Sequence, residues 1–165
     1  MSLTVDVIIE DQRWAEVCDP DALAHAAVEA VLSNIETSWA GELEISFLFC
    51  DDVKIKGLNA TWNKKNSATN VLSFPAFPTG KQGPVTLLGD VIIAFDTISN
   101  EAGDQRKAVS SHAAHMLVHG VLHLFGFDHI NDEAADEMET LETCILNAMG
   151  INDPWAIQTK SGLLI

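Results

Sequence analysis

The sequence predicts one mixed α+β domain spanning residues 1–165, a four-stranded mixed sheet packed with four to five helices. Three observations predict it. Segments rich in β-branched side chains alternate with stretches of helical apolar spacing, in the order strand–helix–strand–helix–strand–strand–helix–helix. No repeat, low-complexity tract or interdomain linker interrupts them. A chain of 165 residues, 47% hydrophobic and 20% charged, is long and apolar enough to bury one core.

Residues 3–10 (LTVDVIIE) carry partial β alternation and form the first strand. Asp19-Pro20 supplies a cap followed by proline in a first helical turn. Leu23, Ala27, Ala30, Val31 and Ile35 then recur at helical spacing, which predicts a helix over about 20–38. His25 lies on it outside any motif, as a surface or packing residue, and Trp14 and Trp39 read as core or edge packing. Residues 44–50 (EISFLFC) form the second strand, and Asp51-Asp52 can cap a short helix through Leu58. TWNKKNSA follows as a polar loop. Residues 71–74 form a short strand stopped by Pro75 and Pro78, and loop 76–87 adds Gly80, Gly83 and Pro84. The apolar run at 88–95 makes a fourth strand buried on both faces. A long helix over about 105–125 is apolar nearly all round after Ala108 and is the central, buried one. The last helix, about 132–149, has Ala134, Met138, Leu141, Ile145 and Ala148 inside, its acids outside and Gly150 as its stop. Asp153-Pro154 closes the regular structure ahead of a loose tail.

The central helix ends in His119-Gly-Val-Leu-His123-Leu-Phe-Gly126-Phe-Asp128-His129. Histidines four residues apart lie one turn apart on one helix face, so both imidazoles can point at one ion. Gly126 can adopt the left-handed conformation that ends a helix and returns His129 to the pair. Three neutral imidazoles with a fourth position open to water are the ligand set of a catalytic zinc site. His119, His123 and His129 are therefore the candidate ligands of one Zn2+. The spacing H-x3-H-x2-G-x2-H is similar to that of the metzincin proteases, which place a glutamate base directly after the first histidine. Here that position is Gly120. An open zinc lowers the pKa of its water from about 16 to about 7, which suits hydrolysis of a carbonyl or a phosphoryl centre. Gly120 argues against the proteolytic route.

His112, His115, His119 and His123 share a helical arc of about 80°. The first two lie too far along the axis to share an ion with His129, and are cleft-lining supports or structural groups. His115 is the candidate support. Asp128, beside the third ligand, either accepts a ligand imidazole N–H or stabilises the turn. No catalytic side chain is expected beyond the metal-bound water.

The string HGVLHLFGFDH resembles the signature HGxLHLxGYDH of the YbeY family, bacterial single-metal endoribonucleases of ribosomal RNA maturation. Leu58-Asn59, then TNVLSFP at 69–75, then Leu88-Gly89-Asp90-Val91 match further family blocks in order, and the resemblance runs from about Glu44 to Trp155. It implies metal-dependent cleavage of single-stranded RNA in 16S rRNA 3′-end maturation and ribosome quality control. The implied partners are ribosomal RNA and the small ribosomal subunit, with ribosomal proteins or other assembly factors, in the cytoplasm and away from membranes. Ser73 and Asp90 match family blocks, and a capping or turn role explains each as well. The family carries arginine after the aromatic of L-N-x2-[YW]-R as a phosphate contact in the cleft. Here Asn63 stands there, followed by Lys64 and Lys65, and these three are the candidate substrate-binding residues. Asparagine brings a hydrogen bond without a charge, and a neighbouring lysine brings a point charge. Asn70 replaces the family's usual aspartate.

A formal net charge of −15 opposes long-range attraction of a polyanion. Its distribution softens this: Lys54, Lys56, Lys64 and Lys65 fall within twelve residues free of acids. Asp132, Glu133, Asp136, Glu137, Glu139 and Glu142 crowd one later segment and read as solvated surface. Cys18, Cys50 and Cys144 are odd in number, lack a C-x2-C pair and read as buried thiols in a reducing cytoplasm. No apolar run reaches the roughly 18 residues that cross a bilayer, and no signal segment opens the chain. Two other readings compete: a metallopeptidase using another carboxylate, and a non-enzymatic ribosome-assembly factor whose metal only staples the histidine turn.

Overall fold

Strand β2 (Glu42–Cys50) runs through the middle of the sheet, and its alternation sets the core. Leu43, Ile45, Phe47 and Phe49 are buried on one face, while the residues between them are half-buried on the other. The computed structural model describes residues 2–39, 41–76 and 85–151. Around β2 stand β1 (Ser2–Ile9), β3 (Val71–Pro75) and β4 (Val85–Ala94), in the spatial order β1-β2-β4-β3. β1 and β4 pair parallel with β2, and β3 closes the edge antiparallel to β4. Parallel strands need cover on both faces. The main cover is the helical layer that packs around α5 (Val109–Leu124), with α2 (Pro20–Asn34) and α6 (Asp132–Ala148) beside it. On the opposite face α3 (Asp52–Asn63) supplies a smaller patch in which Ile55 meets Cys50, Ile92 and Ala94.

Local signals account for most ends. Asp19 accepts the N–H of Ala22 ahead of Pro20, Asp51 that of Lys54, and Asn131 that of Ala134, each capping a helix. Trp14 is core, edge-on to Phe49 and Phe95, and its Nε1–H donates to the carbonyl of Cys50 at 3.0 Å. Trp39 packs at the sheet edge and donates to the carbonyl of Ser2.

Six helices appear among the described residues, two more than the sequence order names. The short α1 (Arg13–Val17) holds Trp14, and α4 (Phe95–Asp104) follows β4 directly. Only Ile98 and Ala102 of α4 are fully buried, a stripe too thin to stand out among its polar residues. The central helix starts at Val109, not near 105, because the chain turns at Arg106 (φ 55°) between α4 and α5. α2 stops at Asn34, short of 38. α3 runs on through Thr61-Trp62-Asn63, expected as loop, and ends at Lys64 in the left-handed conformation. Pro78, Gly80, Gly83 and Pro84, and the tail beyond Ile151, lie outside the described residues. No helix among the described residues is long and apolar enough to cross a membrane.

Candidate metal centre

α5 sits close on the sheet because residue 120 has no side chain. A Cβ there would stand 2.7 Å from Val91 Cγ1, 3.0 Å from Ser73 Oγ and 3.3 Å from Val71 Cγ2. The Ser73 hydroxyl donates to the Gly120 carbonyl at 2.9 Å, so this serine ties the edge strand to the helix. The helix then closes on Gly126, whose φ of +95° suits glycine. The N–H of Gly126 reaches the His123 carbonyl at 3.0 Å and that of Phe127 the Leu122 carbonyl at 3.1 Å. This turn brings His129 back to the helix.

One ring nitrogen from each of His119, His123 and His129 lies within 4.8 Å of the others. The Nε2 atoms of His119 and His123 face each other at 3.0 Å. A tetrahedral ion with bonds of about 2.0–2.1 Å holds two nitrogens about 3.3 Å apart, so this spacing fits a shared cation closely. An all-imidazole set suits zinc, copper, iron or nickel and not magnesium or calcium. Burial, then the neighbouring His119 and His129, pushes the pKa of His123 down, which favours the neutral ligand form. His119 and His123 are half-buried and His129 is exposed, so the cluster opens to solvent on the side of the turn.

Behind the histidines stands Glu142 of α6, 1% exposed. His119 Nδ1 lies 2.8 Å from its Oε1, and His115 Nε2 lies 3.1 Å from the same oxygen. Burial alone would raise the carboxyl's pKa, but the hydrogen bonds from His115 and His119 overcome it and hold the group at about 2. This overturns the expectation that every acid of the last helix is solvated surface. The signal was present: 142 lies four residues after Met138 and three before Ile145, both buried. Asp128 accepts the N–H of Ile130 at 3.3 Å, so it serves the turn. His115 meets Glu142 and not the cluster itself. His112 is buried on the same stripe, but its Nε2 meets Glu101 at 2.9 Å, and Glu101 also accepts from Asn70 at 3.0 Å. His112 therefore joins α5 to α4 and, through Glu101, to Asn70 just ahead of β3.

A family model described as Endoribonuclease YbeY matches residues 8–150. A curated Endoribonuclease YbeY of Agrobacterium fabrum is 42% identical over 163 residues, covering 95% of this chain and 97% of that one. The chain belongs to the YbeY family. The Azorhizobium caulinodans Endoribonuclease YbeY is 41% identical, covering 96% of this chain and 99% of its own. The solution structure of a Thermotoga maritima protein superimposes with a TM-score of 0.55 at 16% identity, over 92% of this chain and 99% of that one, and shows the shared fold.

The YbeY blocks outside the histidine turn take distinct places. Ser73 is the strand-to-helix tie already described, and Asp90, exposed on β4, has its pKa raised by partial desolvation. Asn63, Lys64 and Lys65 stand exposed at the end of α3. Asn63 Nδ2 donates to Asn59 Oδ1 at 2.9 Å, and Asn59 in turn donates to the Ser67 carbonyl. Among the described residues, no hydrogen bond or ion pair joins these three to the histidine cluster.

Proposed function

We propose that this YbeY-family chain is an endoribonuclease hydrolysing single-stranded RNA with one Zn2+ held by His119, His123 and His129. We infer that it acts in the cytoplasm on the 3′ end of 16S rRNA and in quality control of the small ribosomal subunit. The observation that carries the reading is the convergence of three imidazole nitrogens within 4.8 Å on a solvent-open turn. When bound, the cation supplies a Lewis acid for a phosphoryl oxygen and a water that ionises near neutral pH.

The chain's own residues do the positioning. α5 holds His119 and His123 one turn apart, the Gly126 turn presents His129, and Glu142 braces the Nδ1 side of His119. On the substrate side Lys64 and Lys65 offer point charges to the phosphate backbone, and Asn63 an uncharged hydrogen bond. A chain of net charge −15 depends on such local cations to hold RNA. A metzincin-type glutamate base has no place at residue 120, because a Cβ there already crowds Val91 and Ser73.

The test is cleavage of an end-labelled single-stranded RNA by zinc-loaded protein, beside His123→Ala purified in the same way. Cutting by the parent and not by the variant is expected. Equal cutting by both removes the chemistry from this cluster.

A further inference from the structure

We propose that Glu142 is a positioning residue of this metal centre, holding His119 with the proton on Nδ1 and the lone pair of Nε2 turned toward the ion, while His115 clamps the carboxylate. The inference rests on the metal-site reading above and adds to it a residue from a different helix.

Three observations carry it. First, one carboxylate oxygen, Glu142 Oε1, lies within hydrogen-bond distance of both His119 Nδ1 (2.8 Å) and His115 Nε2 (3.1 Å). A carboxylate only accepts, so each of these nitrogens carries the proton. With Nδ1 protonated, the neutral ring of His119 leaves Nε2 as a bare lone pair. Second, that Nε2 is the atom facing His123 Nε2 at 3.0 Å, inside the cluster. The opposite tautomer would set a lone pair against the carboxylate and a proton into the ligand space. Third, Glu142 is 1% exposed on a helix whose other acids largely face solvent. A buried carboxylate is costly unless it is paired, so this position is built for its partners.

Metal-binding histidines commonly donate their other N–H to a carboxylate, and loss of that partner lowers metal affinity about 10–100-fold. His115 has its own part here. By occupying the same oxygen, it fixes the carboxyl rotamer and links α6 to two successive turns of α5. The docking of α6 and the readiness of His119 are thereby one event.

The experiment compares zinc affinity, by competition with a chelator at fixed pH, in the full-length parent, Glu142→Gln and Glu142→Ala. Beside it, nitrogen NMR of the metal-free proteins reports the His119 tautomer without any metal. Glu142→Gln keeps the shape and one acceptor, and is expected to weaken zinc about 10-fold; Glu142→Ala should approach 100-fold. The Nδ1–H form of His119 should dominate in the parent and become mixed in both variants. Folded Glu142→Gln and Glu142→Ala that bind zinc within twofold of the parent, with the tautomer unchanged, overturn the inference and leave the metal site standing. A parent that takes up no zinc sinks the metal-site reading and this inference together.

Discussion

Adding one methyl group at position 120 tests how the helix carrying His119 and His123 is seated. In Gly120→Ala the new Cβ would lie 2.7 Å from Val91 Cγ1, against a comfortable carbon–carbon separation of about 3.5–4.0 Å. Val91 is fully buried in the core, so α5 must lift from the sheet by about 1 Å or Val91 must leave its rotamer. Overpacking of this kind costs about 1–3 kcal/mol. Lifting also strains the Ser73–Gly120 hydrogen bond, worth about 1 kcal/mol. Alanine's better helix propensity returns about 1 kcal/mol. The net expectation is a loss of about 1–3 kcal/mol. For a chain of this size that lowers Tm by roughly 3–10 °C, read by circular dichroism on metal-free protein. Gly57→Ala is the control, since Gly57 is exposed on α3 with open space around its Cβ position. It should raise Tm by up to a few degrees. A Gly120→Ala protein as stable as the parent, or more so, would refute the close seating of α5.

Three further outcomes follow from the same geometry. Burial pushes the Cys50 thiol up to about 12, so at pH 8 only about one molecule in ten thousand is thiolate; a disulfide reagent should label exposed Cys144 promptly and Cys50 only after denaturation. The Glu142 carboxyl is depressed in the fold from 4.5 to about 2, so its contribution is complete above pH 4.5 and is lost as pH falls toward 2. Metal-free parent should therefore lose on the order of 3 kcal/mol across that window that Glu142→Gln does not, measured by urea unfolding; parallel curves would contradict this. Replacing Lys64 and Lys65 by alanine should weaken binding of single-stranded RNA and flatten its salt dependence by about 1.4 in log–log slope, with zinc affinity unchanged; an unaltered slope removes them from the RNA path.

The parts of this fold legible in the sequence are those whose cause is local. His119 and His123 are a turn apart by helical geometry alone, and Gly126 announces the reversal that returns His129, so the cluster could be read without tertiary information. The apolar character of α5 likewise betrayed its central place. What stayed hidden depends on contacts between distant segments. Glu142 meets His115 and His119 only because α6 packs on α5, and its chemical type disguised it among solvated acids. α4 was hidden because Ile98 and Ala102 alone carry its buried face, and the end of α3 because Thr61, Trp62 and Asn63 are exposed. The parallel pairing of β1 and β4 with β2 follows from crossover connections that strand composition does not reveal.

Metal stoichiometry, measured with affinity, decides whether His119, His123 and His129 together hold one ion. Purified parent should bind one zinc per chain. His119→Ala, His123→Ala and His129→Ala should each lose it, while folded His112→Ala, whose histidine is engaged by Glu101, should keep it. A parent that binds no zinc, or a folded His112→Ala that loses zinc as completely as His123→Ala, would rule out this three-histidine site.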